Sequence, residues 1–155
     1  MKRARLLYLG RVVVLVGATL TASTVSTAQP QRLIDLQTRA DQGNAEAQFM
    51  LGALYAAGTV VDQDFVEAAM WFQRSAEQGF TQSFLPLANA YLEGNGVPQD
   101  YVSAHLWFNV AAARLTGDDR AVAVEQRAHV QGLMDSEQVA EAQRLAREWN
   151  GASQR

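Results

Sequence analysis

The sequence predicts an all-α fold: a stack of antiparallel helix pairs closed by a C-terminal capping helix pair. Three observations carry this. The chain matches itself at a shift of 36 residues, each unit spaces its apolar residues as helices do, and glycine and aspartate fall where helices end and begin. At that shift Gly43, Leu51, Tyr55, Gly58, Val61, Gln63, Asp64, Val66, Ala68, Trp71, Phe72 and Ala76 meet Gly79, Leu87, Tyr91, Gly94, Val97, Gln99, Asp100, Val102, Ala104, Trp107, Phe108 and Ala112. Self-similarity at a period of 20–50 residues marks stacked supersecondary units, each too small to bury its own apolar face. With 155 residues, 48% hydrophobic and 19% charged, the chain falls in the ordinary globular range.

The first element is an address. Lys2, Arg3 and Arg5 precede an apolar stretch ending in residues 12–20, and Ser26-Thr27-Ala28 offers small residues for a signal peptidase. Residues 1–28 are thus expected to be a cleavable signal peptide, cut after Ala28, which makes the mature protein periplasmic or secreted. A membrane span needs about 20 apolar residues; this stretch is short and broken by Arg11, so no membrane association is expected after cleavage.

Residues 29–43 follow as a linker and a half-repeat helix at 33–42, because Leu33, Leu36, Ala40 and Gly43 take the places of Ala69, Phe72, Ala76 and Gly79. The first full unit, 44–79, opens with a helix over 44–57 whose apolar positions are Ala47, Met50, Leu51, Leu54 and Tyr55, with Gly58 as its left-handed end. Asp64 caps the second helix, and Glu67 three residues on predicts a capping box. Phe65, Ala68, Ala69, Phe72 and Ala76 form that helix's stripe before Gly79. The second unit, 80–116, repeats this with Tyr101, Ala104, His105, Phe108 and Ala112. Trp71 and Trp107 are expected to fill gaps between units.

Pro86 lacks an amide hydrogen, which predicts a late helix start near Ser83 or a kink. The turn at 59–62 lacks the glycine and proline found at Gly96 and Pro98, so it should be built differently. Ala88 stands where the first unit has Gly52, which predicts a different helix approach. In the capping pair, 117–150, one helix is expected to bury Ala121, Val124, Ala128 and Leu133. The last should bury Val139, Ala142, Leu145, Ala146 and Trp149 behind a charged face of Glu137, Glu141, Arg144 and Glu148. Residues 151–155 are expected to be a disordered tail.

Residues 45–58 with Gln63-Asp64 and 68–72, and again residues 91–101 with Trp107-Phe108-Asn109, resemble the Sel1-like repeat, a relative of the tetratricopeptide repeat. The ordered pattern of Leu-Gly, Tyr, Gly-x-Gly-Val-Pro-x-Asp and Trp-Phe covers about residues 33–114. The structural signature comprises Gly52, Tyr55, Gly58, Asp64, Trp71, Phe72 and Gly79, then Tyr91, Gly94, Gly96, Pro98, Asp100, Trp107 and Phe108. The resemblance implies a right-handed α-solenoid and an adaptor or scaffold role. In such stacks the first helices line the concave wall. The partner-binding candidates there are Glu46, Gln48, Phe49, Ala53 and Ala56 of one unit and Gln82, Phe84, Asn89 and Glu93 of the next. Phe49 and Phe84 fit core packing between units equally well.

Composition narrows the chemistry. From Gln29 onward nine basic residues face sixteen acidic ones, a net −7, with no lysine. Nucleic acid is therefore excluded as a partner. The charge favours a protein or extended segment with a basic face and also serves solubility. There is no cysteine, hence no disulfide, thiolate metal site or catalytic thiol. It also separates the chain from cysteine-rich relatives of the repeat family described as β-lactamases or penicillin binders. His105 lies on an apolar stripe and is expected to be a packed, hydrogen-bonded core residue rather than a general base, and His129 to be partly exposed. No cofactor, metal site or catalytic residue is assigned. The alternative to an adaptor is an exported hydrolase acting on cell-wall or β-lactam substrates.

Overall fold

Asparagine, aspartate and glycine punctuate the helices of the computed structural model, which describes residues 23–152. Among the described residues there are seven α-helices, one 3-10 turn and no strand. The order is α1 (Ser23–Asp41), α2 (Ala45–Ala57), α3 (Phe65–Glu77), the 3-10 turn (Thr81–Ser83), α4 (Phe84–Glu93), α5 (Tyr101–Arg114), α6 (Gly117–Gly132) and α7 (Ser136–Ala152). Most of the expected signal peptide, residues 1–22, and residues 153–155 of the tail lie outside the described residues. The half-repeat helix is longer than expected, beginning at Ser23 and containing Pro30, and α7 continues past residue 150. The chain divides into a compact unit ending at Leu36 and a second beginning at Gln37. In the first, Gln31 Nε2 donates to Asp35 Oδ1 at 2.9 Å.

The caps of the second unit follow the residue types. Asn44 Oδ1 accepts from the Ala47 amide at 2.8 Å. Asp64 Oδ1 accepts from Val66 and Glu67 at 2.9 and 3.1 Å, and Asp100 Oδ1 from Val102 and Ser103 at 2.9 and 3.3 Å. Each satisfies amides that have no intrahelical acceptor. The capping box expected from Glu67 does not close, because the Asp64 amide instead donates to the Tyr55 carbonyl at 3.0 Å, as Asp100 does to Tyr91 at 2.9 Å. A reciprocal box stands at α7, where Gln138 N donates to Asp135 Oδ1 at 2.8 Å and Asp135 N to Gln138 Oε1 at 3.0 Å.

The repeated glutamines clamp the turns. Gln63 Nε2 donates to the Ala56 carbonyl at 2.9 Å and Gln99 Nε2 to that of Leu92 at 2.7 Å, taking up carbonyls left open where α2 and α4 end. The turns differ as expected: Gly96 has φ 77°, whereas no described non-glycine residue, Val60 included, has positive φ. The late start at Pro86 is also found. The 3-10 turn precedes α4, so Pro86 falls in the first helical turn, where no intrahelical hydrogen bond is lost.

Alanine and aromatic residues of α3, α4 and α5 form the main core, with Phe72, Phe84, Leu87, Trp107 and Phe108 among its largest members. Gly52 lets α2 approach α3, since a Cβ there would fall 2.9 Å from the Phe72 ring. At the equivalent position the Ala88 methyl is fully buried, so α4 and α5 leave room for it. Two buried polar relays run through the first repeat. Gln78 Nε2 donates to Gln48 Oε1 at 2.7 Å and Gln48 Nε2 to the Ala40 carbonyl at 3.0 Å. Ser83 Oγ donates to Ser75 Oγ and Ser75 Oγ to the Ala45 carbonyl, both at 2.7 Å. Gln48→Ala removes both hydrogen bonds that this buried amide makes and is expected to lower stability by about 1–3 kcal/mol in urea unfolding.

Several expected core residues lie outside. Met50 and Phe65 are exposed. In α6 the stripe is displaced: Ala121, Val124, Ala128 and Leu133 are exposed and Ala123 and Val130 are buried. The physical reason is a polar tie, Arg127 Nη1 to Asn109 Oδ1 at 2.8 Å, which turns the Ala123–Arg127–Val130 side of α6 toward α5. The α7 stripe is as expected, with Ala142 and Ala146 buried and Val139, Leu145 and Trp149 half-buried. On its outer face Arg144 pairs with Glu141 at 2.6 Å and Glu148 at 2.5 Å.

Candidate functional site

A groove lies between α3 and α4, lined also by Ala56 of α2 and Asn95 of the turn after α4, with a volume of about 210 Å³. Its floor is small and apolar: Ala68, Ala69 and Ala90 with the edge of Phe72. Three alanines facing one another leave the space that larger side chains would fill. The rim carries the exposed Phe65, Asn89, Glu93 and Asn95, with half-buried Pro86 beside them. Gly96 fixes the rim, since its turn lies so close to the first residues of α3 that a Cβ would overlap the Phe65 carbonyl.

The charge of the two repeats as a whole is one-sided. Residues 44–116 hold seven carboxylates (Glu46, Asp62, Asp64, Glu67, Glu77, Glu93, Asp100) against Arg74 and Arg114, a net −5. Arg74 sits over the Trp71 ring at 4.7 Å and Arg114 over that of Trp149 at 5.3 Å. Glu93 Oε2 accepts from Asn95 Nδ2 at 2.6 Å. The ion pairs found among the described residues involve Glu46, Glu141 and Glu148, not Glu93. A larger hollow of about 540 Å³ lies against α7, but its Arg144, Glu141 and Asp135 already bond one another or the backbone.

Of the partner-binding candidates, the groove brings together Ala56, Asn89 and Glu93. Glu46 and Gln82 are exposed but do not line it, and Glu46 lies 4.0 Å from Arg39. The rest are corrected. Gln48 is buried in its relay, Phe84 is fully buried, Ala53 packs on the core, and Phe49 is wedged between Phe72 and Phe80 at ring separations of 5.9 and 5.6 Å. Phe65, Asn95 and Pro86 were missed as rim residues. No local signal marked Phe65, which opens the α3 stripe one turn before Ala68 and is exposed in the fold.

His105 is buried, but the expected hydrogen bond is absent: neither ring nitrogen has a partner among the described residues. Burial lowers its pKa below the ordinary value, the nearby Gln131 side chain partly offsets this, and the Arg127 charge lowers it further. The folded state thus binds this proton less readily than the unfolded chain, so the stability His105 permits is complete above about pH 6.5 and falls as the pH drops toward the folded-state pKa. His105→Leu keeps the bulk without the unpartnered nitrogens. Its unfolding free energy is expected to fall less than that of the parent between pH 7 and 5, and parallel curves would refute this. His129 is exposed, more open than expected. Among the described residues no three His, Asp or Glu side chains cluster to hold a metal, and no helix is long and apolar enough to cross a membrane.

Antiparallel helix pairs repeating every 36 residues, with their turns clamped by equivalent glutamines, define a helical-repeat protein of the α-solenoid class. The family model for the Sel1 repeat matches residues 45–80 and 87–114, so the chain carries Sel1 repeats over that stretch. Its fold is similar to that of a protective antigen of uropathogenic Escherichia coli strains displaying an SLR fold: 30% identity, TM-score 0.69, covering 76% of this chain and 24% of that one. It is also similar to a Sel1 repeat protein from Oxalobacter formigenes: 29% identity, TM-score 0.57, covering 72% and 45%. The chain thus spans about a quarter of the first and less than half of the second. No curated protein matches it. Sel1 repeats typically mediate protein–protein interaction.

Proposed function

We propose that this protein is a non-catalytic adaptor of the bacterial envelope that holds a partner with a basic face, or a basic extended segment, against its repeats. The observation that carries this is the net −5 of the two repeats around an apolar groove whose rim carboxylate, Glu93, enters no ion pair among the described residues. Lys2, Arg3 and Arg5 before an apolar stretch support export. The hydrolase alternative finds little support, since His105, its best candidate by residue type, is buried.

The test is expression of the full chain in a bacterial host with a photo-crosslinking residue at position 89. The expected result is a periplasmic or secreted protein beginning at Gln29 that crosslinks to a discrete protein, while the same probe at position 143, exposed on α7 and outside the groove lining, gives none. A chain retained in the cytoplasm with Met1 intact would overturn the envelope assignment, and equal crosslinking from both positions would overturn the groove as the docking face. Turnover of a β-lactam or of cell-wall fragments by the pure protein would overturn the non-catalytic reading.

A further inference from the structure

We infer that the groove between α3 and α4 seats one apolar side chain of an extended segment, and that Glu93 pairs with a lysine or arginine two residues further along that segment. The inference rests on the adaptor reading and gives its site a chemistry. Small-molecule sites run to roughly 300–1,000 Å³; at about 210 Å³ this groove is sized for a side chain rather than a cofactor. The alanine floor has no hydrogen-bonding side chain, so the buried end of the occupant must be apolar. Phe65 and Pro86 flank it, adding apolar contact at the surface.

The rim specifies the rest. Asn89 is exposed, and its amide offers both donor and acceptor, matching the paired N–H and C=O that an extended backbone presents. Glu93 lies one turn beyond Asn89 on α4, about 6 Å along the helix axis. Successive same-side residues of an extended chain are spaced by about 6–7 Å, so the side chain two positions past the anchor reaches Glu93. Asn95 holds Glu93 through Oε2 at 2.6 Å, which orients the carboxylate in advance. From residue 75 to residue 113 the chain has no lysine or arginine, but has Glu77, Glu93 and Asp100. A cation is attracted there and a carboxylate repelled. A helical occupant fits less well, because it needs anchors at several turns and the groove spans only the two turns from Pro86 to Glu93.

The test is a nitrogen-15 NMR titration of the purified protein with blocked six-residue peptides containing Leu-Ala-Arg, with Leu-Ala-Glu and Ala-Ala-Arg as controls. The expected result is at least tenfold tighter binding of Leu-Ala-Arg than of either control, with shifts centred on Ala69, Ala90 and the side-chain amides of Asn89 and Asn95. Glu93→Gln is expected to weaken binding at least fivefold and remove most of its salt dependence, and Asn89→Trp, an exposed change that fills the groove, to abolish it. Equal binding of all three peptides, shifts confined to other surfaces, or an unaffected Glu93→Gln variant would overturn the inference. Continued crosslinking of a protein from position 89 while the peptides fail would overturn the groove chemistry and leave the adaptor reading standing. Failure of both would remove both.

Discussion

Gly96→Ala is expected to destabilise the protein by about 3 kcal/mol, combining left-handed backbone strain with displacement of a packed turn, terms of roughly 1–3 kcal/mol each. Gly96 has φ 77°, and a Cβ there would overlap the Phe65 carbonyl and lie 2.7 Å from the Val66 amide nitrogen. These are backbone atoms of the first turn of α3, which Asp64 caps, so they cannot move aside as a side-chain tip would. Gly79→Ala separates the two terms: its φ is 82°, yet nothing lies within 4 Å of the added Cβ, so only strain remains, about 1–2 kcal/mol. Urea unfolding of the two variants gives the comparison. Equal losses would mean that the turn does not rest on α3. Because Phe65 stands on the rim of the groove, Gly96→Ala is also expected to weaken binding there.

The 36-residue repeat made the helix order legible. Asp64, Asp100, Gly58 and Gly94 have local jobs that a sequence displays directly: an acceptor where amides are free, a residue without a Cβ where φ is positive. Pro86 was legible for the same reason. What the sequence hid were choices made across elements. Glu67 looked like half of a capping box, but the Asp64 amide had a tertiary acceptor in Tyr55. The α6 face could not be read from its alanines, because two sides of that helix are almost equally apolar and the Arg127 to Asn109 bond decides between them.

The site was less legible than the fold. Asn89 and Glu93 were found because they are polar residues on a first helix. Phe65 was missed because an aromatic residue on an amphipathic stripe reads as core, and nothing local reveals that the stack ends short of covering it. Gln48 failed in the opposite direction. A polar residue on a first helix looks outward-facing, and only its partners, Ala40 eight residues earlier and Gln78 thirty residues later, place it inside.

Phe84→Ala is expected to lower stability by about 3–5 kcal/mol, the largest loss anticipated for a single side chain here, without acting on a partner directly. Phe84 is fully buried and joins two tryptophans, stacked at 6.0 Å from Trp107 and edge-on at 5.7 Å from Trp149, which are themselves 5.6 Å apart. The cluster ties the second repeat to α7, so truncation leaves a cavity where repeat and cap meet. Its position corresponds to Gln48 in the first repeat, where neighbouring polar groups make an amide the better occupant. Phe84→Gln tests whether the two junctions are interchangeable. Without a partner on both sides of its amide it is expected to be at least as damaging as alanine. The near-ultraviolet circular dichroism of the tryptophans should diminish in both variants at temperatures where the far-ultraviolet helical signal persists. A Phe84→Ala protein with parental stability but lost partner binding would show instead that this ring faces the partner.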